Sequence, residues 1–366
     1  MGNGENPVCS LMERAVSEGV FPGGVLLVSF GPAVVLNLAV GRADIYTGQI
    51  MEPDFIFDLA SMTKPLATAM AVMRLVDQGK LALDQAMGSI LAPLSGTDKG
   101  GITVDQLLRH TSGLAAHREF YRIIKCPGTG AGRRELRCLL TREPLVQEPG
   151  THEVYSDLGY MLLSWIVEEV SGQRLDFFVR QQVYQPLGIE DLFFIETGQG
   201  GGVPRERQRR LVATENCPWR QRVLRGEVHD DNAWAAGGIE GHAGLFGSAP
   251  AVWRLTREIR EALDETGAGV IPGKVLEQCI SRQRFGDKVA GFDTPSRTGS
   301  SSGRYLSPNS IGHLGFTGTS FWMDLDQGLT VILLTNRVHP SRSNEKIRLF
   351  RPVLHDAVAT WLRDGQ

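Results

Sequence analysis

The 366-residue chain reads as an α/β protein of the α+β kind: one antiparallel sheet assembled from both chain ends and flanked by helices, with a mostly helical region inserted between. Two observations predict it. Apolar residues recur with period two near each terminus, in "FPGGVLLVSF" and "AVVLNLAVG" at one end and in "TSFWMDL" and "LTVILLTNRV" at the other. Between them the pattern is helical. Strands confined to the two ends complete a sheet most simply by pairing with each other. The chain is therefore expected to be one unit, 1–366, with residues 1–60 and 305–366 as a sheet subdomain and 61–304 as a mainly helical one.

In chain order, residues 8–19 read as a first helix. The longest apolar stretch, "GVLLVSFGPAVVLNLAV", is broken by Gly31-Pro32 and predicts two strands and a turn, not a membrane span. After Ser61 a helix runs to about Gln78, where Gly79 stops it. Helices follow over 103–109, 158–171, 174–184, 250–266 and 273–281. Asp326-Gln327-Gly328 marks the hairpin between the last two strands. "NEKIRLFRPVLHDAVATWL" closes the chain as an amphipathic helix interrupted by Pro352. "GTGAGRR", "TGQGGGVPRERQRR" and "SRTGSSSGR" read as exposed glycine-rich loops, and no internal repeat is present.

Composition excludes several classes of function. Hydrophobic residues make up 42% and charged residues 22%, as in a globular protein. A net charge of −3 supplies no basic field for nucleic acid or an anionic membrane. Five scattered cysteines, an odd number without paired-ligand spacing, point to reduced thiols instead of a disulfide framework or a zinc site. The N-terminal stretch shows no basic start followed by an apolar run, so the expected location is cytoplasmic. "GTGAG" and "GQGGG" lack the strand–helix setting of a nucleotide site, and no cofactor is implied. Gly299-Ser300-Ser301-Ser302-Gly303 matches a nucleophile elbow only formally, because it lies in a loop.

The chemistry begins with "FDLASMTKPLATAM". Ser61 and Lys64, three apart, share a helix face, and Pro65 fits only a first turn. There the helix dipole favours a developing alkoxide, and a desolvated lysine could accept the serine proton. In "PGTHEVYSDLGYMLL", Tyr155 stands just before an apolar helix, where a phenol beside a lysine could shuttle protons. In "GHLGFTGTSFWMDL", glycines 312, 315 and 318 would let a ligand approach the backbone, and an N–H on this edge with that of Ser61 could form an oxyanion hole.

Serine-x-x-lysine, then Tyr-Ser-Asp roughly a hundred residues later, then a glycine-rich strand near the C-terminus resembles the serine β-lactamase and penicillin-binding-protein superfamily. The chain is most similar to the class C-related branch, with its esterases and D-alanyl-D-alanine carboxypeptidases. The resemblance implies a β-lactamase/transpeptidase-like fold and assigns roles: Ser61 nucleophile, Lys64 activating partner, Tyr155 proton shuttle, and the N–H groups of Ser61 and Phe316 as oxyanion hole. Residues 217–246 also look like a stretch of a peptidoglycan-associated subgroup.

Two departures carry information. The third motif reads His313-Leu314-Gly315, or, shifted, Phe316-Thr317-Gly318; both lose the usual lysine, which weakens capture of a substrate carboxylate. Asp157 stands where asparagine is commoner, and a carboxylate near Lys64 would hold it charged and make Tyr155 the base. His229, Asp230, Asp231 and His242 have no metal-site spacing; His229, Asn232 and His242 are placed on the substrate cleft instead. Trp219, Trp234 and Tyr121 are candidate cleft walls, and the arginines around 133–137 and 205–210 read as basic loops. The expectation is a serine hydrolase for a small ester or peptide-like substrate, an ester before a D-amino-acid amide. The rivals are a D-alanyl-D-alanine carboxypeptidase or weak β-lactamase, and a non-catalytic binder of peptidoglycan fragments.

Overall fold

In the computed structural model, which describes residues 6–197, 203, 205–281 and 288–364, eight strands form one sheet. They are β1 (Gly23–Phe30), β2 (Ala33–Asp44), β3 (Gln49–Ile50), β4 (Lys288–Val289), β5 (Phe292–Asp293), β6 (Ile311–Leu314), β7 (Ser320–Met323) and β8 (Leu329–Thr335). Their spatial order is β3-β2-β1-β8-β7-β6-β5-β4, antiparallel throughout. The two chain ends meet where β1 pairs with β8, from Gly24 opposite Thr335 to Phe30 opposite Leu329. The sheet also takes in β4 and β5, upstream of residue 305.

The apolar run of β1 follows from burial of both sheet faces. Leu26 and Val28, with Val331 and Leu333 of β8, face the helices Pro7–Ser17 and Ile347–Asp364. Val25 and Leu27, with Ile332 and Leu334, face the larger core shared with the inserted helices. The expected break at Pro352 does not occur: Ile347–Asp364 is one helix around it. Proline removes a single N–H, and Phe350, Leu354 and Val358 keep the apolar stripe docked.

The helix expected after Ser61 is composite. A tight turn, Ala60–Met62, passes into a wide turn, Lys64–Ala69, with Pro65 near its start, and then into the α-helix Met70–Asp77. "GTGAGRR" is not a loop but opens the helix Gly130–Arg142, where the Thr129 hydroxyl accepts the Gly132 N–H and Leu136 and Leu140 are buried. Part of "TGQGGGVPRERQRR" lies outside the described residues; Arg205–Arg210 is a short helix, not a loop. A small sheet, with Leu245–Gly247 between Phe57–Asp58 and Leu192–Phe194, anchors the segment that leads into Ser61.

Candidate active site

The backbone ahead of Ser61 is held in an uncommon shape. Ala60 has φ of 47°, a left-handed conformation that costs a residue with a side chain on the order of 1–3 kcal/mol. Asp58 fixes it: its carboxylate accepts the Ala60 N–H at 2.8 Å and the His229 N–H at 2.6 Å. The Thr63 hydroxyl donates to the Ala60 carbonyl at 2.6 Å and accepts the Leu245 N–H at 3.1 Å. Ser61 is thereby presented, half-buried, in a first turn.

Lys64 is fully buried, and its ammonium spends all three donors. They reach Ser61 Oγ at 3.2 Å, Asp157 Oδ1 at 2.8 Å and the His242 carbonyl at 3.2 Å. Burial works against the charge, but the Asp157 carboxylate and the Tyr155 phenol outweigh it and hold Lys64 above the usual lysine range. Burial likewise opposes ionisation of Asp157, yet Lys64, His117 and His242 hold its carboxyl well below the carboxylate range. The neutral amine expected of a desolvated lysine is therefore not the resting state of Lys64.

Tyr155 lies between two cations. Lys64 Nζ is 4.8 Å and Lys288 Nζ 5.3 Å from its ring centroid. His110, itself at φ 60°, packs its ring 4.6 Å from that of Tyr155. The His110 Nδ1 accepts the Ser156 N–H at 2.9 Å, which leaves the proton on Nε2. Burial, then Lys288 and Lys64, push its pKa well down, so it is a neutral wedge. Burial also raises the Tyr155 phenol, against the pull of Lys64.

The loop 315–319 is stapled to the segment that presents Ser61. Thr317 Oγ1 donates to the Asp58 carbonyl at 2.7 Å, and Thr319 Oγ1 to that of Leu59 at 3.1 Å. From the C-terminal helix, Arg351 donates to the carbonyls of Gly315 and Thr319 at 3.2 and 2.7 Å, and Arg337 donates to that of Phe316 at 2.8 Å. The Phe316 N–H has no acceptor among the described residues. The glycines serve this packing, not ligand approach. A Cβ on Gly315 would lie 2.0 Å from Thr319 Oγ1 and 2.6 Å from the Leu59 carbonyl, and one on Gly312 would lie 2.3 Å from the Phe321 carbonyl.

A cleft of about 360 Å³ opens over these groups, and Ser61, Tyr155, Asp157, His229 and Phe316 line it. His229 stacks on Phe316 with ring centroids 5.6 Å apart. Three residues placed on the cleft from sequence lie behind its wall. Asn232, fully buried, ties down Tyr121 N–H at 2.9 Å and the Arg118 carbonyl at 2.7 Å. His242, also buried, turns its ring to Asp230 Oδ1 at 2.9 Å. His313 is buried behind Tyr155, where its Nδ1–H donates to the Leu314 carbonyl at 2.8 Å. Burial, aided by Lys64 and Lys288 and opposed by Asp293, lowers the His313 pKa to about 4, so it carries no charge near neutrality.

Sequence reasoning missed His117, Glu119, Asp230, Asp231 and Arg342, which complete the lining. His117, Glu119 and Arg342 come from loops, and Asp230 and Asp231 from the cap and first turn of the short helix Asp231–Ala235, where no periodicity marks them. Tyr121 does line the cleft, while Trp219 packs edge-on against it at 4.9 Å and against Trp234 at 5.2 Å. Arg133 and Arg137, read as a basic loop, sit on a helix and pair with Glu168.

Residues 9–353 match the family described as Beta-lactamase. An N-acetylmuramyl-L-alanine amidase of Bacillus subtilis (strain 168) is 33% identical over 377 residues, which cover 91% of this chain and 80% of that protein. A protein of Escherichia coli (strain K12) named "Putative D-alanyl-D-alanine carboxypeptidase" is 27% identical over 363 residues, covering 90% and 82%. Among solved structures, EstCE1, a hydrolase with promiscuous acyltransferase activity, matches with a TM-score of 0.73 at 21% identity, over 96% of this chain and 97% of that one.

Proposed function

The chain belongs to the beta-lactamase family and has its β-lactamase/transpeptidase fold, and from that premise we propose that it is a serine amidase for acyl amides of the N-acetylmuramyl–L-alanine class. The observation that carries this is the third-motif position. Penicillins and D-alanyl-D-alanine peptides bring a carboxylate beside the scissile nitrogen, which a lysine and a threonine hold in relatives that bind them. Here His313 is buried and neutral, and Leu314 has no hydroxyl. Arg342, the guanidinium on the cleft, is already paired with Glu215 at 2.6 Å and Asp231 at 3.3 Å. An amide without a required carboxylate at that point fits this site better, and the 33% identical relative carries an amidase name.

The reaction starts when the Lys64–Tyr155 pair has lost one proton, with the phenolate stabilised by the neighbouring ammonium. Tyr155 takes the Ser61 proton as Oγ attacks the acyl carbon, and Lys64 donates to Oγ throughout. The carbonyl oxygen gains its charge against the N–H groups of Ser61 and Phe316. On collapse the C–N bond breaks, and the Tyr155 hydroxyl returns the proton to the departing amine. Water then gives a proton to Tyr155, attacks the acyl-enzyme, and Ser61 recovers its proton as the acid leaves. A carboxylic ester enters the same cycle with an alcohol as leaving group, and a neutral His313 does not discriminate against it.

The test is release of L-alanine, as its amide, from N-acetylmuramyl-L-alanine amide, whose alanine carboxyl is blocked, and of D-alanine from a peptide ending in D-alanyl-D-alanine, with turnover of a p-nitrophenyl ester in parallel. Wild type should release L-alanine, Ser61→Ala should be slower by roughly 10⁴-fold or more, and penicillin should leave no mass adduct on the protein. Release of D-alanine without L-alanine would replace the amidase with a carboxypeptidase. Ester turnover alone would return the function to an esterase.

A further inference from the structure

Resting on the roles given to Ser61 and Lys64, we propose that His117 is a positioning residue of the reaction: through Asp157 it sets how tightly the Lys64–Tyr155 pair holds the proton that must leave before Ser61 is activated. Four side chains form one hydrogen-bonded line. Ser61 Oγ is 3.2 Å from Lys64 Nζ, which is 2.8 Å from Asp157 Oδ1; the other oxygen, Oδ2, is 3.1 Å from His117 Nδ1. The line runs from the interior outward, with side-chain exposure of 0% at Lys64, 17% at Asp157 and 46% at His117. His117 is the member that exchanges protons with water.

The backbone builds this contact. The Asp157 N–H donates to the Ala116 carbonyl at 2.9 Å, and the Ser156 hydroxyl donates to that of Ala115 at 2.7 Å. The segment carrying His117 is thus pinned to the first turn of the helix Asp157–Ser171. The charged groups that face His117 are Asp157 on that helix, Asp230 at the N-cap of Asp231–Ala235, and Glu119 and Arg118 on its own segment. Arg118 is engaged by Glu143 at 2.6 Å, which leaves the carboxylates to dominate. The hydrogen bond to Asp157, opposed by partial burial and supported by Asp157, Asp230 and Glu119, raises the His117 pKa above the ordinary histidine value.

The physical consequence is a division of charge. With an imidazolium on Oδ2, the Asp157 carboxylate presents less than its full charge to Lys64, and the Lys64–Tyr155 pair releases its proton at lower pH. With neutral imidazole the hydrogen bond remains but the charge sharing is lost. A loop contact of merely structural value would lower rates evenly without moving the pH profile.

The experiment follows the rate at which a fluorophosphonate phosphonylates Ser61, by intact mass across pH, which needs no natural substrate. On the acid side of the His117 titration, where wild type holds the imidazolium, His117→Ala and His117→Gln should both displace the rising limb to higher pH; at a fixed pH there the rate falls about tenfold for each pH unit of displacement, and above that titration His117→Gln should converge on wild type. Glutamine keeps a donor for Asp157 and controls for folding. Asp157→Asn should move the limb to lower pH, and adding His117→Ala to it should change nothing further. In parallel, the His117 ring proton, assigned as the NMR signal missing from His117→Gln, should titrate above ordinary histidine and fall in Asp157→Asn. A His117→Gln profile superimposable on wild type overturns the proposal, as does a His117→Ala displacement that persists without Asp157. No labelling of wild type would remove the serine-hydrolase premise; an unchanged His117 titration in Asp157→Asn would separately remove the coupling.

Discussion

At Gly315 one added methyl decides whether the loop 315–319 can pack against the segment before Ser61. A Cβ there would overlap Thr319 Oγ1 and the Leu59 carbonyl, and backbone cannot step aside as a flexible side chain would. Gly315→Ala should cost about 1–3 kcal/mol or more, seen as a lower unfolding midpoint in urea, together with a loss of acylation larger than the stability loss explains. An alanine variant with wild-type rates would mean that this loop does not shape the site. The structure does bring Ser61, Lys64 and Tyr155 together, and the first two were legible because a spacing of three within one turn is a local signal. The sequence could not mark Asp58 or His117, whose partners arrive from distant segments. Nor could it say on which side of the cleft wall Asn232, His242 and His313 would fall.

Among the elements, the C-terminal helix is more than a cover for the sheet. Arg351 reaches from its buried face to the Gly315 and Thr319 carbonyls, and burial, with Arg337 and Arg348 nearby, lowers its pKa to about 9. Arg351→Met keeps the packing volume and removes one of two donors from each carbonyl, since the Gly318 N–H still reaches Gly315 and the Gly315 N–H still reaches Thr319, at about 0.5–1.5 kcal/mol each. The variant should fold, by circular dichroism, and lose kcat by about 10–100-fold; unchanged kcat would show that Arg337 and the threonine staples hold the loop unaided. Strands β1 and β8 were legible because both of their faces are buried, which forces continuous apolar runs, whereas most of β2 is exposed or half-buried. The helix Gly130–Arg142 was not legible, because Gly132 imitates a loop. It is small for another reason: a Cβ there would lie 2.3 Å from the Ala235 carbonyl.

The whole molecule carries buried histidines that refuse protons. His355 is fully buried, and neither ring nitrogen has a partner among the described residues. Burial and Arg351, opposed by Asp356, lower its pKa to about 3. In the unfolded chain the same group titrates near about 6.5. As pH falls below that value the unfolded state takes up a proton that the folded state does not, so stability drops with pH. By pH 5 one such group costs about 2 kcal/mol. His313 acts in the same direction down to about 4. Asp230, Asp293 and Glu215, held near about 2 against burial by His242, by His313 and Lys288, and by His229 and Arg342, withdraw further stability between about 4 and 2. The Tm at pH 5 should lie below that at pH 7.5, and His355→Leu should narrow the gap from the acid side; an unchanged gap would mean that His355 is protonated in the fold.

The pairing of β1 with β8, the grip of Thr317 and Thr319 on the segment before Ser61 and the brace of Arg351 on their loop also govern when the site can form as the chain is made. A nascent chain paused at residue 310 already contains the serine, the lysine and the tyrosine. It lacks the strand that flanks β1, the amide of Phe316 and the arginine that braces it. Assembly of the site therefore waits on residues 316–351, and a chain that stops short of them holds the three side chains without the scaffold that sets them.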